Sequence, residues 1–247
     1  MNLNKKLKLS LVIPCFNEQG NIKYLFKSLL SLKNYKDLEI ILVDNGSTDS
    51  TFKTMVFYKK KNKSLNTKLL KIRKNVGFGY GVYKGLKKSS GHYVCYTHAD
   101  RETKIIDIKN VFKIILKNPN DDLFIKGKRV NRAKNHWTFL DEFFSRSCDI
   151  FLSLILLKPL MDIHAQPNAF SRKFLDKIKY FPKDFLIDAY FLYLAKKRNL
   201  KIIRFNVNFN KKKRLYGKGS SDNFLKKVKG GVEHIVGAIL ILIKSNT

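Results

Sequence analysis

The chain has 247 residues, of which 44% are hydrophobic and 13% aromatic, which argues against intrinsic disorder and is enough for one large domain or two small ones. Its 50 Lys and Arg residues against 19 Asp and Glu residues give a net charge of +31, which favours a polyanionic partner: nucleic acid, an anionic membrane surface or a phosphorylated small molecule. The three cysteines, Cys15, Cys95 and Cys148, lie far apart without zinc-type spacing and indicate a reduced cytosolic compartment.

Strands and helices alternate through the first hundred residues. The basic start leads through residues 7–13 into Pro14, which predicts a first strand instead of a secretion signal. Further strands are predicted at 38–43, 69–72 and 92–97, and helices at 17–32, 47–58 (with Ser47 or Thr48 as the N-cap) and 77–88. This alternation predicts an α/β fold with a mostly parallel sheet flanked by helices.

The second half of the chain is less regular. Its apolar patterns predict strands at 122–127 and 201–209 and helices at 139–157, 185–198 and 232–243, with a basic stretch containing Gly and Ser at 211–229. No apolar run reaches the roughly 20 residues that a membrane-spanning helix needs.

Polar clusters follow the predicted strands of the first half. Asn17 and Glu18 follow the first strand, and Asp44 and Asn45 end the second. A glycine cluster and an acidic cluster come next, with Gly77, Gly79 and Gly81 in the first and His98, Asp100 and Glu102 in the second. Ligands of such sheets bind at the carboxyl ends of the strands, so we expect one binding edge there. Taken alone, DNGSTDS is also an ordinary strand–turn–helix junction, and the glycine cluster lacks the Gly-Lys-Ser/Thr of a phosphate-binding loop.

The order of these motifs resembles that of the family-two glycosyltransferases of GT-A (Rossmann-like) fold, with PCFNE, VDNGSTDST, NVGFGYG and THADRE in sequence. Within that family the chain resembles the members similar to dolichol-phosphate mannose synthase and other polyprenyl-phosphate glycosyltransferases. The resemblance implies one GT-A domain over 1–247, with a nucleotide-sugar half at 1–102, an acceptor half at 103–222 and an apolar C-terminal helix at 223–247. It implies an inverting, metal-assisted transfer of a sugar from a nucleotide-diphosphate sugar to a lipid-phosphate or glycan acceptor.

The same resemblance assigns roles to the first-half clusters. Asp100 is the expected metal ligand and catalytic residue, holding Mg²⁺ or Mn²⁺ with the diphosphate. Glu102 is a further ligand candidate, and His98 stands where the family has Asp; in an extended segment all three would share a face. His98 could instead contact phosphate or be a packed strand-end residue. Donor binding is assigned to Pro14, Asn17, Glu18, Asp44, Asn45, Gly77 and Gly79, with Glu18 and Asp44 holding the nucleotide.

Weaker resemblance extends into the second half. Asp162 and Gln166 match a donor-binding segment, and Arg214 and Lys218 match a segment that closes over the diphosphate. Asp188 matches an acidic helix residue that faces the sugar and the acceptor, and it is the second catalytic candidate. The alternatives are an ordinary helix-face Asp and a solvated basic loop.

The apolar segments 151–157 and 232–243 suit either a membrane surface or the protein core. The second follows Lys226, Lys227 and Lys229, and basic residues beside an apolar helix suit an anionic interface. We therefore expect a cytoplasmic protein at the inner face of a membrane, acting on a membrane-surface acceptor of cell-envelope glycan synthesis. The competing hypotheses are a basic nucleic-acid-binding protein, for which no recognised module is present, and a nucleotide-sugar binder with impaired catalysis. Oligomeric state is left open.

Overall fold

One seven-stranded sheet organises the residues that the structure, a computed structural model, describes: 8–119, 122–210 and 224–245. The strand order is β3-β2-β1-β4-β6-β5-β7. Neighbouring strands are parallel except at β6, which is antiparallel to both β4 and β5. The strands are β1 (Leu9–Cys15), β2 (Leu38–Asn45), β3 (Thr67–Ile72), β4 (Tyr93–Tyr96), β5 (Leu123–Arg129), β6 (Asn168–Ser171) and β7 (Lys201–Val207). The predicted mostly parallel α/β sheet is confirmed.

Helices cover both faces of the sheet. They are α1 (Gln19–Leu29), α2 (Thr51–Lys61), α3 (Phe78–Lys88), α4 (Ile108–Lys117), α5 (Phe139–Ile155), α6 (Arg172–Asp176), α7 (Leu186–Lys197) and α8 (Phe224–Ser245). One core contains apolar residues of α1, α2 and α4, and the other contains residues of α3, α5, α6, α7 and α8. In β1, Leu9, Leu11 and Ile13 belong to the first core and Val12 to the second, which is why apolar residues of this strand point to both faces of the sheet.

Several predicted boundaries were wrong. Helix α2 begins at Thr51, because the backbone N–H groups and side chains of residues 47–49 are used in a loop that precedes it. Helix α8 begins at Phe224, inside the predicted basic stretch. Helix α4 was missed although Ile108, Val111, Phe112 and Ile115 have helical spacing. Strand β6 was also missed, since four residues are too short for a pattern to show.

At the amino-terminal end of the central strands, a buried carboxylate ties three segments together. Glu39 in β2 accepts hydrogen bonds from the hydroxyl of Ser10, from the backbone and hydroxyl of Ser90 (2.9 and 3.0 Å), and from Lys68 Nζ (2.5 Å). Burial raises the pKa of Glu39, but these bonds outweigh it and lower that pKa to about 2. The cluster lies at the edge opposite the predicted binding edge, so its role is in stability.

We expect Glu39→Gln to lower the free energy of unfolding by about 2 kcal/mol at neutral pH, since hydrogen bonds to a charged group are lost. A carboxyl whose pKa falls on folding stabilises the protein above its unfolded value, near 4.5, and the stabilisation disappears as pH falls toward about 2. Urea unfolding from pH 7 to pH 2.5 should therefore show the two proteins converging in acid. Glu142→Gln, which removes an exposed ion pair with Arg146, is the control and should change the free energy of unfolding by less than about 1 kcal/mol. An equal loss in both variants would contradict the stabilising role assigned to Glu39.

Candidate active site

The carboxyl ends of β1, β2, β3 and β4 lie at one edge of the sheet, because these strands are parallel. The loops that leave this edge are residues 16–18, 46–50, 73–77 and 97–104. The polar clusters that the sequence singled out in the first half of the chain lie in these loops or in the strand and helix residues directly beside them. Pro14 lies inside β1 beside Val43 and contributes to the strand itself.

The first two loops are fastened to each other through Asn17 and Glu18. Asn17, in the left-handed region at φ 54°, donates its N–H to Ser47 Oγ (3.0 Å) and accepts the N–H of Thr48 on Oδ1 (2.9 Å). The N–H of Glu18 donates to Thr51 Oγ1 (2.8 Å). Asn17 therefore holds the second loop in place.

Three carboxylates lie near enough to the buried thiol of Cys15, at the end of β1, to affect its pKa. Burial raises the pKa of Cys15 well above its ordinary value, and the negative charges of Glu18, Asp44 and Asp100 raise it further. All three carboxyl-bearing residues are buried. The structure thus brings together one acidic residue from each of three separate strand ends.

Asp44 and Asn45 end β2 with their side chains turned toward neighbouring loops. Asp44 Oδ1 accepts the N–H of Ser47 (3.1 Å), and Asn45 Nδ2 donates to the carbonyl of Gly77 (3.0 Å). Asn45 therefore links the end of β2 to the loop of residues 73–77, which we call the glycine loop.

The backbone at Gly77 and Gly79 approaches other backbone of this chain. A Cβ at Gly77, where φ is 128°, would lie 2.3 Å from the carbonyl oxygen of Lys183, and one at Gly79 would lie 2.2 Å from that of Pro182. The N–H of Tyr80 also donates to Lys183 O (3.0 Å). The glycines permit a close approach, and the neighbour is the segment that leads into α7 and not the ligand that the sequence suggested.

The segment after β4 turns instead of continuing as a strand. Arg101 is left-handed, at φ 69°, and Asp100 Oδ1 accepts the N–H of Glu102 (3.1 Å). The assumption of an extended segment that places His98, Asp100 and Glu102 on one face was therefore wrong. Their ligand atoms, all within the described residues, do not form a group within 4.8 Å of one another.

His98 lies among aromatic rings. Its ring centroid is 4.9 Å from that of Phe78, 6.5 Å from that of Phe185 and 6.4 Å from that of Phe209. These residues come from three distant parts of the chain, so no pattern in the sequence indicates this environment. The contacts correspond to the packed reading of His98 that the sequence left open.

Asp188 lies at the centre of a buried polar network and is 1% exposed. Its oxygens accept hydrogen bonds from Tyr96 Oη (2.6 Å) and Asn168 Nδ2 (3.2 Å), and Oδ2 lies 3.4 Å from His164 Nδ1. Burial raises the pKa of Asp188, but the bond from His164 and the charge of Lys126 outweigh it and hold that pKa below its usual range. The carboxylate is ionised and enclosed by protein groups.

Lys126 is the neighbouring cation that sequence reasoning missed. Its ammonium is fully buried in β5 and donates to the carbonyls of Ile163 (2.6 Å) and Ala165 (2.7 Å) and to Asn168 Oδ1 (2.8 Å). Burial lowers the pKa of Lys126 to about 7. A lysine within the apolar run LFIKG was the available signal, since buried lysines need partners.

Asp162 and Gln166 lie on either side of this network. Asp162 forms salt bridges with Arg129 and, at 3.1 Å, with Arg132, and both guanidinium groups lie about 5 Å from the ring of Trp137. Gln166 is fully buried, with Nε2 3.5 Å from Asp188. Arg214 and Lys218 lie outside the described residues.

Helices α5 and α8 pack against each other, and both expose apolar side chains. Leu152 and Leu156 of the segment 151–157 and Ala238 and Ile241 of the segment 232–243 are buried. The exposed residues are Phe139, Leu140, Phe143, Ile150, Phe151, Leu154 and Leu157 beside Val232, Val236, Ile239, Leu240 and Ile243. Each segment therefore has one buried and one exposed apolar side. In the part of the chain that the structure describes, no helix combines the length and apolarity needed to cross a bilayer.

Comparison with known proteins identifies the family. The family model described as glycosyl transferase family 2 matches residues 10–179. A dolichyl-phosphate beta-glucosyltransferase of Dictyostelium discoideum is 31% identical over 217 residues, or 81% of this chain and 66% of the relative. A dolichol-phosphate mannosyltransferase of Pyrococcus furiosus is 26% identical over 168 residues, or 66% of this chain and 45% of the relative. The chain thus spans about two thirds or less of these relatives' length.

Solved structures with the same fold are glycosyltransferases. Glucosyl-3-phosphoglycerate synthase of Mycobacterium tuberculosis, solved with Mn²⁺, uridine diphosphate and glucosyl-3-phosphoglycerate, superposes with a TM-score of 0.66 at 18% identity, covering 95% of this chain and 79% of that one. A mannosyltransferase of Pyrobaculum calidifontis, solved with GDP-mannose and Mn²⁺, gives 0.66 at 18% identity, covering 96% of this chain and 65% of the other. The fold and the expectation of a glycosyltransferase are confirmed, and the chain belongs to glycosyl transferase family 2.

Proposed function

We propose that the chain transfers a sugar from a nucleoside-diphosphate sugar to a polyprenyl phosphate at a membrane surface, with inversion at the anomeric carbon. The observation that carries the donor half of this proposal is the position of Glu18, Asp44 and Asp100 at the carboxyl ends of the parallel strands β1, β2 and β4. Acidic residues at strand ends suit ribose hydroxyls and base edges, so Glu18 and Asp44 hold the nucleoside. Asp100, on the loop after β4, faces the diphosphate.

The residues of this edge fit a divalent cation. Mg²⁺ is held by one or two carboxylates together with phosphate oxygens, and Mn²⁺ accepts the same hard ligands. Asp100 would hold such an ion, with Glu102 the next carboxylate along the same loop. When bound, the ion supplies positive charge next to the departing diphosphate. His98 packs among phenylalanine rings, and we assign it to the shape of this edge instead of to the ion.

The burial of Asp188 favours a phosphate acceptor over a hydroxyl. A sugar hydroxyl needs a general base, whereas a phosphate monoester is already mostly ionised near pH 7, since its second pKa is about 6. Asp188 is enclosed by Tyr96, Asn168 and His164, so it acts by positioning these groups. An acceptor oxygen then attacks the anomeric carbon, and the bond to the diphosphate breaks with its electron pair on the leaving group. Such a single displacement inverts the anomeric centre.

The exposed apolar sides of α5 and α8 support a membrane-surface acceptor. Apolar area of this extent on two packed helices marks an interaction site, and the net charge of +31 attracts an anionic surface. The relatives named for dolichyl phosphate point to the same chemistry of acceptor. The protein is therefore peripheral, with α5 and α8 toward the lipid.

A transfer assay tests the function directly. Purified protein is incubated with UDP-glucose or GDP-mannose, Mg²⁺ or Mn²⁺, and either polyprenyl phosphate or the matching neutral polyprenol in detergent. We expect a glycolipid product from the phosphate alone, with the opposite anomeric configuration to the donor. Transfer to polyprenol at an equal rate would contradict the argument from Asp188. Donor binding with neither transfer nor donor hydrolysis would identify an impaired binder instead.

Leu154→Gln combined with Ile239→Gln should weaken partitioning onto vesicles with anionic lipid by about tenfold, because inserted apolar surface is lost from both helices. These side chains are 65% and 51% exposed. Leu116→Gln is the matched control: Leu116 is 64% exposed but lies on α4, on the other face of the sheet. Sedimentation with vesicles measures the effect, and equal partitioning of both variants would remove the assignment of this surface.

A further inference from the structure

Three side chains with metal-ligating atoms meet away from the donor edge. Cys148 lies on α5, His164 on the loop between α5 and β6, and His234 on α8. One ligand atom from each lies within 4.8 Å of the other two, and all three residues are half-buried. The two imidazole rings are perpendicular, with an interplanar angle of 89° and centroids 5.2 Å apart.

We propose that Cys148, His164 and His234 form a binding site for a zinc-class transition-metal ion. A thiolate and two imidazoles suit Zn²⁺, whereas Mg²⁺ and Mn²⁺ prefer oxygen ligands. Tetrahedral zinc, with bonds of about 2.0–2.3 Å, holds its ligand atoms about 3.3–3.6 Å apart. Small side-chain rotations of these half-buried residues bring the three atoms to that spacing. Three protein ligands leave the fourth position to water.

Asp188 supplies the outer partner that such a site requires. Metal-ligating histidines present their second ring nitrogen to a carboxylate or carbonyl, which fixes the ring and its tautomer. His164 Nδ1 lies 3.4 Å from Asp188 Oδ2, which leaves Nε2 as the ring atom for the metal. Asp188 is itself held by Tyr96 and Asn168, so the orientation of His164 is set by the sheet.

The site would join α8 to the rest of the fold. Its ligands come from three segments far apart in sequence, and α8 packs against α5 and α7. A bound ion would crosslink α8 to α5 and so hold the exposed apolar side chains of the two helices in a fixed relative position. The site uses none of the donor-edge residues, so Zn²⁺ binding can be measured separately from donor binding and sugar transfer.

Zinc binding is tested on untagged full-length protein that has been stripped with a chelator. After equilibrium dialysis against Zn²⁺, mass spectrometry of the metal should give one ion per chain. Co²⁺ should give a thiolate-to-metal charge-transfer band and the visible spectrum of a tetrahedral site. Cys148→Ser should abolish that band, and Cys148→Ser and His234→Asn should each weaken Zn²⁺ binding by more than about tenfold, the lower end of losses seen for outer-shell changes alone.

Two controls separate the site from general effects. His136→Asn removes an exposed histidine in the left-handed region and should leave the stoichiometry at one. Asp100→Asn should also retain Zn²⁺, so that a failed transferase assignment does not count against the metal site. Circular dichroism checks that the variants are folded.

Hydrogen exchange measures whether a bound ion stabilises α8. Saturating Zn²⁺ should slow amide exchange in α8 of the wild type but not of Cys148→Ser. At a Zn²⁺ concentration a hundredfold above Kd, the Tm of the wild type should rise by roughly 5–10 °C. Wild-type protein that takes up no more Zn²⁺ than Cys148→Ser, or a Co²⁺ complex without the charge-transfer band, would overturn the proposal.

Discussion

Asp100→Asn should lower kcat for sugar transfer by about 10²–10³-fold while the protein stays folded. Removing one group that stabilises charge at the reacting centre has an effect of this size, and the amide keeps the shape of the side chain but not its charge. Initial rates at saturating donor and acceptor measure the change. The loss should be larger in kcat than in KM, because the carboxylate acts where charge develops on the diphosphate.

Asp176→Asn is the matched control for Asp100→Asn. Asp176 is exposed at the end of α6, so its replacement should leave kcat unchanged. Thermal melting distinguishes a lost catalytic group from lost structure. Full transfer activity in a folded Asp100→Asn protein would exclude Asp100 from the role proposed for it.

Asp188→Asn should lower the free energy of unfolding by about 3–5 kcal/mol, since removing one partner of a buried ion pair leaves the other charge uncompensated. The paired cation is His164, 3.4 Å from the carboxylate, and the buried Lys126 also loses the nearby negative charge. The substitution is nearly isosteric, so a cavity does not explain the loss. Urea unfolding at pH 7 measures it, and Asp176→Asn should fall within about 0.5 kcal/mol of the wild type.

The loss of stability in Asp188→Asn should depend on pH. The pKa of Asp188 is lower in the folded protein, so its contribution is present above the unfolded value, about 3.9, and is lost as pH falls through the folded value. The gap between wild type and Asp188→Asn should therefore be widest near neutral pH and narrow in acid. A gap that is constant across this range would point to shape instead of charge.

The sequence predicted those features whose cause is local in the chain. Alternating apolar runs identified the parallel strands, and polar residues at their ends identified one edge of the sheet, because parallel strands all end on the same side. The sequence alone was therefore enough to place Glu18, Asp44 and Asp100 at the same edge. Asn17 was found by the same rule, although its side chain binds a neighbouring loop.

Contacts between distant segments could not be read in the same way. His98 packs against Phe78, Phe185 and Phe209, and no spacing in the sequence connects these positions. Asp188 was expected to face an acceptor, yet all ten residues from Leu186 to Ala195 are buried. A helix that is apolar on nearly every side was a sign of central burial, and the lone acid within it was a sign of a buried partner.

The close packing of Gly77 and Gly79 against residues 182–184 bears on whether the two halves of the chain could fold apart from each other. Gly77 and Gly79 admit the backbone of residues 182–184 so closely that no side chain fits between them, and β4 is hydrogen-bonded to β6 from the second half of the chain. A fragment cut after residue 102 would lose the surface on which its glycine loop rests and would expose the edge of β4. Residues 1–102 and the part of the chain that follows them are therefore not separable modules. Recombining them between relatives would require both sides of this contact to be exchanged together.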